Sequence, residues 1–221
     1  WLRFDFGPWS GLGFFGIEGW PPYPGHGHRD LGGFELHFEG TPVFRDLGRG
    51  RYGETADALR PVAAAAHNTM TIDGFDPYPA NKPYYDAGFR RLVGGPPPTI
   101  ERGPDRVALI HHGFARLGGI DAHRRTWNFS KTGFKIVDRV EGSGRHRVTR
   151  RLHTTLAVEP GPDGAVIGAG TTAWRLTAEA PIQLKPATHW PAYGRGEPAR
   201  TLEMSSEVEL PWEGTVSVEA A

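Results

Sequence analysis

Apolar and polar residues alternate along much of the chain with a period of two. The clearest case is residues 34–39, Phe-Glu-Leu-His-Phe-Glu, where every second side chain is apolar, as in a strand buried on one face. Residues 42–46 and 69–73 are further candidates, and the second closes on Asp73-Gly74, a tight-turn signal. Later strands are predicted at 106–111, 123–129, 134–140, 147–155, 173–178, 202–210 and 215–219.

Glycine and proline interrupt these segments throughout the chain. With 31 Gly and 20 Pro, long helices are disfavoured, and the one helix-like stretch, residues 55–66, is broken by Pro61. Turn signals at 131–133 and 142–144 separate neighbouring strand candidates. Short strands at this spacing predict an all-β fold, an antiparallel β-sandwich with long Gly/Pro-rich loops, as a single domain over residues 1–221. Residues 1–25 and 75–100 are predicted to be ordered, aromatic-rich surface loops.

The overall charge narrows the classes of partner. The chain has 25 basic and 25 acidic residues, which argues against a uniformly basic surface, so no nucleic-acid partner is expected. No apolar run approaches the ~20 residues of a membrane span, and no signal peptide is visible. Since the chain begins at Trp1, we expect it to be a processed product or a piece of a longer protein.

The absence of cysteine restricts any metal chemistry to histidine and carboxylate ligands. His26 and His28 lie two residues apart in Gly-His-Gly-His-Arg-Asp, so in an extended segment their side chains would point the same way. Asp46 and His67 follow in strand-like settings. Neutral imidazoles and a carboxylate suit zinc or a similar divalent cation, and three protein ligands leave a fourth position open.

Two alternatives compete with this metal site. Histidines two apart on a strand are often only an exposed polar face. A cupin-like site also places His-x-His on a strand, but it requires a glutamate three or four residues after the second histidine. Here the next glutamate is Glu35, seven residues after His28, so the cupin pattern fits poorly.

Several motifs together resemble a known family. They are Gly-His-Gly-His-Arg-Asp at 25–30, Val-Phe-Arg-Asp at 43–46, Ala-His-Asn-Thr-Met-Thr-Ile-Asp-Gly at 66–74, and the later segments 123–125, 134–142, 151–153 and 193–194. In this order they resemble the C-terminal β-sandwich of the heparinase II/III-like polysaccharide lyases, which include heparin, heparan sulfate and oligoalginate lyases. The resemblance spans nearly the whole chain and implies a sandwich of the super-sandwich type.

The resemblance implies roles for individual residues. His26 matches a histidine that reaches the lyase cleft and takes part in catalysis, whereas His28, Asp46 and His67 match the three zinc ligands. Arg51 and Tyr52 match positions where the family often contacts substrate, which is a weaker match. The sequence also departs from the family pattern, because Leu-Gly-Arg at 47–49 replaces the usual Pro-Gly-Thr turn after the aspartate.

The family also implies partners that this chain does not contain. Its members carry an α/α toroid before the sandwich, which supplies a catalytic tyrosine and the group that neutralises the substrate carboxylate. No part of this sequence resembles that toroid. We therefore expect a larger enzyme that acts on an acidic polysaccharide or oligosaccharide in the periplasm or outside the cell, a location that the residues themselves do not establish.

Three functions follow from these observations. The first is a zinc-binding lyase domain that supports β-elimination of a uronate-containing glycan and is completed by the absent toroid. The second is a non-catalytic, metal-containing module that binds glycan or is structural. The third is a small metal-dependent enzyme that uses the open metal position. The sequence does not identify the glycan, because the residues that select it are expected mostly in the toroid.

Overall fold

The computed structural model describes residues 1–16, 20, 27–53 and 60–221 of the chain, in an antiparallel β architecture. A four-stranded sheet, the small sheet, has the order β1-β2-β3-β4. Its strands are β1 (Leu2–Phe6), β2 (Trp9–Gly13), β3 (Phe34–Phe38) and β4 (Thr41–Phe44).

A larger sheet contains the remaining described strands. Its main path runs β10-β11-β12-β14-β9-β8-β7-β6, with β13 added to β14 and β5 added to β9. The strands are β5 (Met70–Ile72), β6 (Thr99–Arg102), β7 (Arg106–His111), β8 (Ile120–Phe129), β9 (Gly133–Thr154), β10 (Ala157–Gly161), β11 (Gly164–Ala169), β12 (Thr172–Ala178), β13 (Ile182–Ala192) and β14 (Arg195–Ala220).

Aromatic side chains join the two sheets into a sandwich. Phe4 of the small sheet lies 5.7 Å from Trp127 of β8 between ring centroids, and Phe44 lies 5.9 Å from Phe134 of β9. Phe38 likewise packs edge-on against Trp174 of β12. Large rings bury much apolar area and prefer such tilted contacts, so this layer supplies a major part of the core. The predicted antiparallel sandwich is therefore confirmed.

The alternation at 34–39 corresponds to β3, whose Phe34 and Leu36 are buried against the larger sheet. The predicted Asp73-Gly74 turn is also present, with φ values of 53° and 77°. Both residues therefore adopt the left-handed region that such a tight turn requires. This turn ends β5, the short strand that begins three residues after His67.

The structure differs from the prediction in the two longest strands. Segments 134–140 and 147–155 are one strand, β9, and segments 202–210 and 215–219 are one strand, β14. Gly142 and Gly144 have φ of 141° and 91°, but they do not reverse the chain. The registers of β9 with both neighbours shift near this point, so the glycines accommodate an irregularity within a continuous ladder.

Two predicted loops contain regular structure. Residues 1–25 include the hairpin β1–β2, and residues 75–100 include the helix α1 (Ala87–Gly94) and the start of β6. The Asp86 side chain caps α1 by accepting a hydrogen bond from the Phe89 amide at 2.7 Å. Of the helix-like stretch 55–66, residues 55–59 lie outside the described part, and Arg60–Val62 and Ala64–Ala66 form short 3-10 turns. None of the described helices is long and apolar enough to cross a membrane.

Candidate metal centre

The three predicted metal ligands lie on three separate connections at one region of the sandwich. His28 belongs to an irregular segment before β3, rather than to the extended strand that the His-x-His spacing suggested. Backbone bonding explains this difference. The Arg29 amide donates to the Val62 carbonyl at 2.8 Å, and the Gly33 amide donates back to the Asp30 carbonyl at 2.6 Å, which curls the segment into a turn.

Asp46 lies just after β4, at the start of the loop that leads to Arg51. Its amide donates to Oε1 of Glu35 at 3.1 Å, and its own Oδ1 accepts a hydrogen bond from the Gly48 amide at 2.8 Å. The preceding residue is also fixed, because the Arg45 amide donates to the His153 carbonyl at 3.0 Å. The carboxylate is therefore anchored by its own loop, with Oδ2 left to face His67.

His67 follows the 3-10 turn Ala64–Ala66 and is almost completely buried, with 1 % of its surface exposed. The His67 amide donates to the Ala64 carbonyl at 3.1 Å, which closes that turn. Its Nδ1 makes a short hydrogen bond with Oδ2 of Asp46. A buried histidine next to a carboxylate is held in one ring orientation, as metal-binding histidines generally are.

A second carboxylate joins the cluster, one that the sequence reasoning did not assign. Ligand atoms of His28, Asp30 and His67 all lie within 4.8 Å of one another. The rings of His28 and His67 are 5.1 Å apart between centroids, and Asp30 is 7 % exposed. We call His28, Asp30, Asp46 and His67 the metal cluster. The mutually close group therefore contains the predicted His28 and His67 and adds Asp30. The predicted Asp46 is not part of that group and joins the cluster through its contact with His67.

The electrostatics of the metal cluster favour the binding forms of His28 and Asp46, but not those of Asp30 and His67. Burial, and then the neighbouring His67, lower the pKa of His28 to about 4, so its imidazole is neutral at pH 7. Burial would raise the pKa of Asp46, but the charge and hydrogen bond of His67 outweigh it and lower this pKa. Burial raises the pKa of Asp30. A neutral imidazole and an ionised carboxylate are the forms that bind a divalent cation.

The pair formed by His67 and Asp46 allows two coordination modes. Burial would lower the pKa of His67, but the charge and hydrogen bond of Asp46 raise it. If His67 coordinates through Nδ1, Asp46 lies directly beside the cation and is a ligand. If it coordinates through Nε2, Asp46 orients the ring and Asp30 supplies the carboxylate. In either mode the donor set of two histidines and a carboxylate fits zinc.

Of the remaining predicted site residues, the structure describes Arg51 and Tyr52. His26 lies outside the described residues, two positions before His28. Arg51 and Tyr52 are exposed, and the Tyr52 ring stacks on that of Tyr193 at 5.9 Å, with the Arg49 guanidinium 4.2 Å above it. They form an exposed aromatic and cationic surface at the end of the loop that begins with Asp46.

An aromatic cavity of about 890 Å³ borders the metal cluster. Its polar wall is formed by His28, Asp30 and Asp46, and its apolar wall includes Trp1 and Phe14, whose rings lie 5.4 Å apart. Aromatic faces beside polar groups are suited to sugar rings, which have apolar faces and hydroxyl edges. The metal cluster is therefore accessible from a cavity of ligand size.

A second cavity, of about 560 Å³, borders the same two loops, and we call it the basic groove. Leu47 and Gly48, just after Asp46, line one side, and Ala66, just before His67, lines another. Four cationic residues and one carboxylate also line it, namely Arg51, Arg60, Arg151, Lys185 and Glu203. Arg151 pairs with Glu203 at 2.8 Å. The excess of cations makes this groove suitable for an anionic ligand.

The chain belongs to the heparinase II/III-like C-terminal domain family, whose model matches residues 17–217. The family is thus identified by a match over most of the chain, and the fold described above agrees with it. A search of the curated proteins finds no match.

Solved structures show the same fold. Heparan sulfate lyase HepC from Pedobacter heparinus has a TM-score of 0.71 and 12 % identity, and the match covers all of this chain and 36 % of that one. A heparinase III, the BT4657 gene product with methylated lysines, has a TM-score of 0.69 and 17 % identity, covering 96 % of this chain and 32 % of that one. This chain therefore spans about a third of the length of these lyases.

The fold also occurs in a protein that is named for another activity. The 4-alpha-glucanotransferase from Thermococcus litoralis has a TM-score of 0.54 and 14 % identity, and the match covers 98 % of this chain and 37 % of that chain. At these identities the structural likeness establishes the fold alone. The function must therefore be argued from the residues of the site.

Proposed function

We propose that this chain is the zinc-binding sandwich domain of a polysaccharide lyase that cleaves a uronate-containing acidic glycan by β-elimination. The observation that carries this proposal is the metal cluster, which lies beside a ligand-sized cavity in a member of the heparinase II/III-like family. His28, Asp46 and His67 would hold the cation, with Asp30 as an adjacent carboxylate. Since two similar structures are a heparan sulfate lyase and a heparinase III, heparan sulfate is the first substrate to test.

The reaction requires one base and one acid. A base removes the proton on carbon 5 of the uronate, the bond between carbon 4 and its glycosidic oxygen breaks, and a double bond forms between carbons 4 and 5. An acid then protonates the leaving oxygen. Charge on the uronate carboxylate must be neutralised as the proton leaves, because this stabilises the enolate-like intermediate. A neutral histidine with a pKa near 6.5 suits the role of base.

His26 is the proposed catalytic group of this chain. It precedes His28 by two residues, and Gly27 and His28 both line the aromatic cavity. When bound, the cation would link the three connections that carry His28, Asp46 and His67, and so fix the segment of His28, which follows His26 by two residues. The proton donor and the carboxylate-neutralising group would come from the rest of the enzyme.

The experiment uses the full-length enzyme that contains this chain. With heparan sulfate, alginate and chondroitin as substrates, the ultraviolet absorbance of the unsaturated uronate product is followed for three proteins. The wild type should form product from one of these glycans, whereas His26→Ala should form none but keep its metal content and fold. His28→Ala should lose both metal and activity. Full activity of His26→Ala would refute the proposed role of this histidine.

A non-catalytic glycan-binding module is the second candidate, and the basic groove favours it. The exposed cations Arg51 and Arg60 could bind sulfate or carboxylate groups without any reaction. The same assay separates the two candidates. Glycan binding that is weakened by Arg51→Gln, in a full-length protein that forms no unsaturated product, would support the module and contradict the lyase.

A further inference from the structure

Asn68, the residue after His67, is completely buried and uses its side chain to join three parts of the sandwich. Its Nδ2 donates to the Phe34 carbonyl at 2.7 Å and to the Arg45 carbonyl at 3.0 Å. Its Oδ1 accepts a hydrogen bond from the His153 amide at 2.6 Å. Because the partners are two carbonyls and one amide, the orientation of the carboxamide is determined without ambiguity.

These partners adjoin the metal cluster. Arg45 immediately precedes Asp46, and Phe34 opens β3 four residues after Asp30. The His153 carbonyl in turn accepts from the Arg45 amide at 3.0 Å, so Asn68 and His153 hold the backbone before Asp46 from both sides. The side chain of a single residue thus sets the spacing between the His67 turn, the Asp46 loop and the start of β3.

The backbone carbonyl of Asn68 is itself held by a buried arginine of β8. Nη1 of the buried Arg125 donates to the Asn68 carbonyl and to the Gly32 carbonyl, each at 3.2 Å. The same guanidinium forms a bidentate ion pair with the Asp138 carboxylate, at 2.7 and 3.0 Å. Arg125 therefore connects the turn that carries His67 with the segment that carries Asp30, and it does so from a rigid position in β8.

We propose that Asn68 is the positioning residue of the metal centre, because its carboxamide ties the backbone just before Asp46 and the start of β3 to the turn that carries His67. The inference rests on the proposed metal site and adds a residue that contacts neither the cation nor the glycan. Residues that orient metal ligands in this way commonly change metal affinity about 10- to 100-fold when they are replaced.

The test uses Co²⁺ as the probe with the 221-residue chain, and it compares the wild type, Asn68→Asp and Asn68→Ser. Aspartate keeps the acceptor for the His153 amide but loses both donors, and serine is small and uncharged, so it remains informative if aspartate prevents folding. We expect each folded variant to bind Co²⁺ about 10- to 100-fold more weakly, with a shifted visible absorption band. Ile167→Ala, in the core of β11, is the control for general destabilisation, and its Co²⁺ affinity and band should match the wild type.

The outcomes separate the two proposals. A wild-type chain that binds no Co²⁺ would refute the metal site itself, and the inference with it. A wild-type chain that binds Co²⁺, together with folded Asn68 variants of unchanged affinity and spectrum, would refute only the positioning role. Equal losses in the Asn68 variants and in Ile167→Ala would also overturn it, because they would show an effect of stability alone.

Discussion

Asp46 and His67 are in direct contact, carboxylate oxygen against ring Nδ1, although 21 residues separate them in the chain. Each changes the chemistry of the other. The carboxylate favours the protonated imidazole, and the imidazole favours the ionised carboxylate. A cation held by His67 would favour the neutral imidazole and so change the protonation of this pair.

Comparison of the two carboxylates tests which of them is the ligand. Asp46→Asn should lower the affinity for Zn²⁺ by more than about 100-fold, because loss of a ligand exceeds the 10- to 100-fold effect of losing an orienting group. Asp30→Asn should cost about tenfold or less. Competition with a chromophoric chelator measures both affinities. The reverse order would assign the ligand role to Asp30 and the orienting role to Asp46.

Metal removal should destabilise the chain through His67. A cation present at about 100 times its Kd stabilises a native protein by about 2.7 kcal/mol, which corresponds to a Tm increase of about 5–10 °C for a chain of this length. A chelator should therefore lower the Tm of the zinc-loaded wild type by this amount. The Tm of His67→Ala should not respond to the chelator. Equal Tm values for wild type with and without chelator would place any bound metal outside the fold-stabilising site.

A separate buried histidine pair should make the fold sensitive to acid. The Gly113 amide donates to His111 Nδ1 at 3.2 Å, His111 Nε2 donates to His123 Nδ1 at 2.9 Å, and His123 Nε2 donates to Asp138 at 2.8 Å. In this arrangement both rings are neutral, and neither has a free position for a second proton. Burial lowers the pKa of His111 and of His123 below the usual value.

The sign of the pH effect follows from these lowered pKa values. Below about pH 6.5 the unfolded chain takes up protons that the folded His111 and His123 do not, so stability is lost as the pH falls from 6.5 through their folded pKa values. Urea unfolding between pH 7.5 and about 4.5 measures this loss. His111→Gln should be less stable at pH 7.5 but should show a shallower pH dependence. The half-exposed His37→Gln should keep the wild-type slope, and identical slopes in all three proteins would refute this explanation.

Alternation with a period of two allowed the sandwich to be predicted, because strands half-buried in an antiparallel sheet keep their apolar side chains on one face. The same signal is present in β1, where Leu2, Phe4 and Phe6 alternate with Arg3 and Asp5, but the surrounding Gly and Pro favoured a loop. Gly142 and Gly144 likewise favoured a turn, because glycine is common in turns. Whether such glycines reverse a chain or form an irregularity depends on the pairing of neighbouring strands, which the local sequence does not contain.

The site was predictable only in part. His28, Asp46 and His67 could be named from the spacing of polar residues and from the family resemblance. The structure brings the ligand atoms of His28 and His67 close together and places Asp46 in contact with His67. Asp30 could be read in the His-Gly-His-Arg-Asp motif. Its proximity to His67, 37 residues later, depends on the conformations of the two connections that carry these residues, and the local sequence does not determine them. Asn68 was visible in the Ala-His-Asn-Thr motif, but its proposed role depends on the carbonyls of Phe34 and Arg45, which lie 34 and 23 residues away in the sequence.

The metal content of the 221-residue chain tests the central claim most directly. The purified protein is equilibrated with excess Zn²⁺, freed of unbound metal by gel filtration and measured by elemental analysis, beside His28→Ala. We expect about one equivalent of zinc in the wild type and a loss of most of it in the variant, because three protein ligands and an adjacent carboxylate bind zinc with ordinary affinity. Less than about 0.2 equivalents in folded wild-type protein would contradict the account.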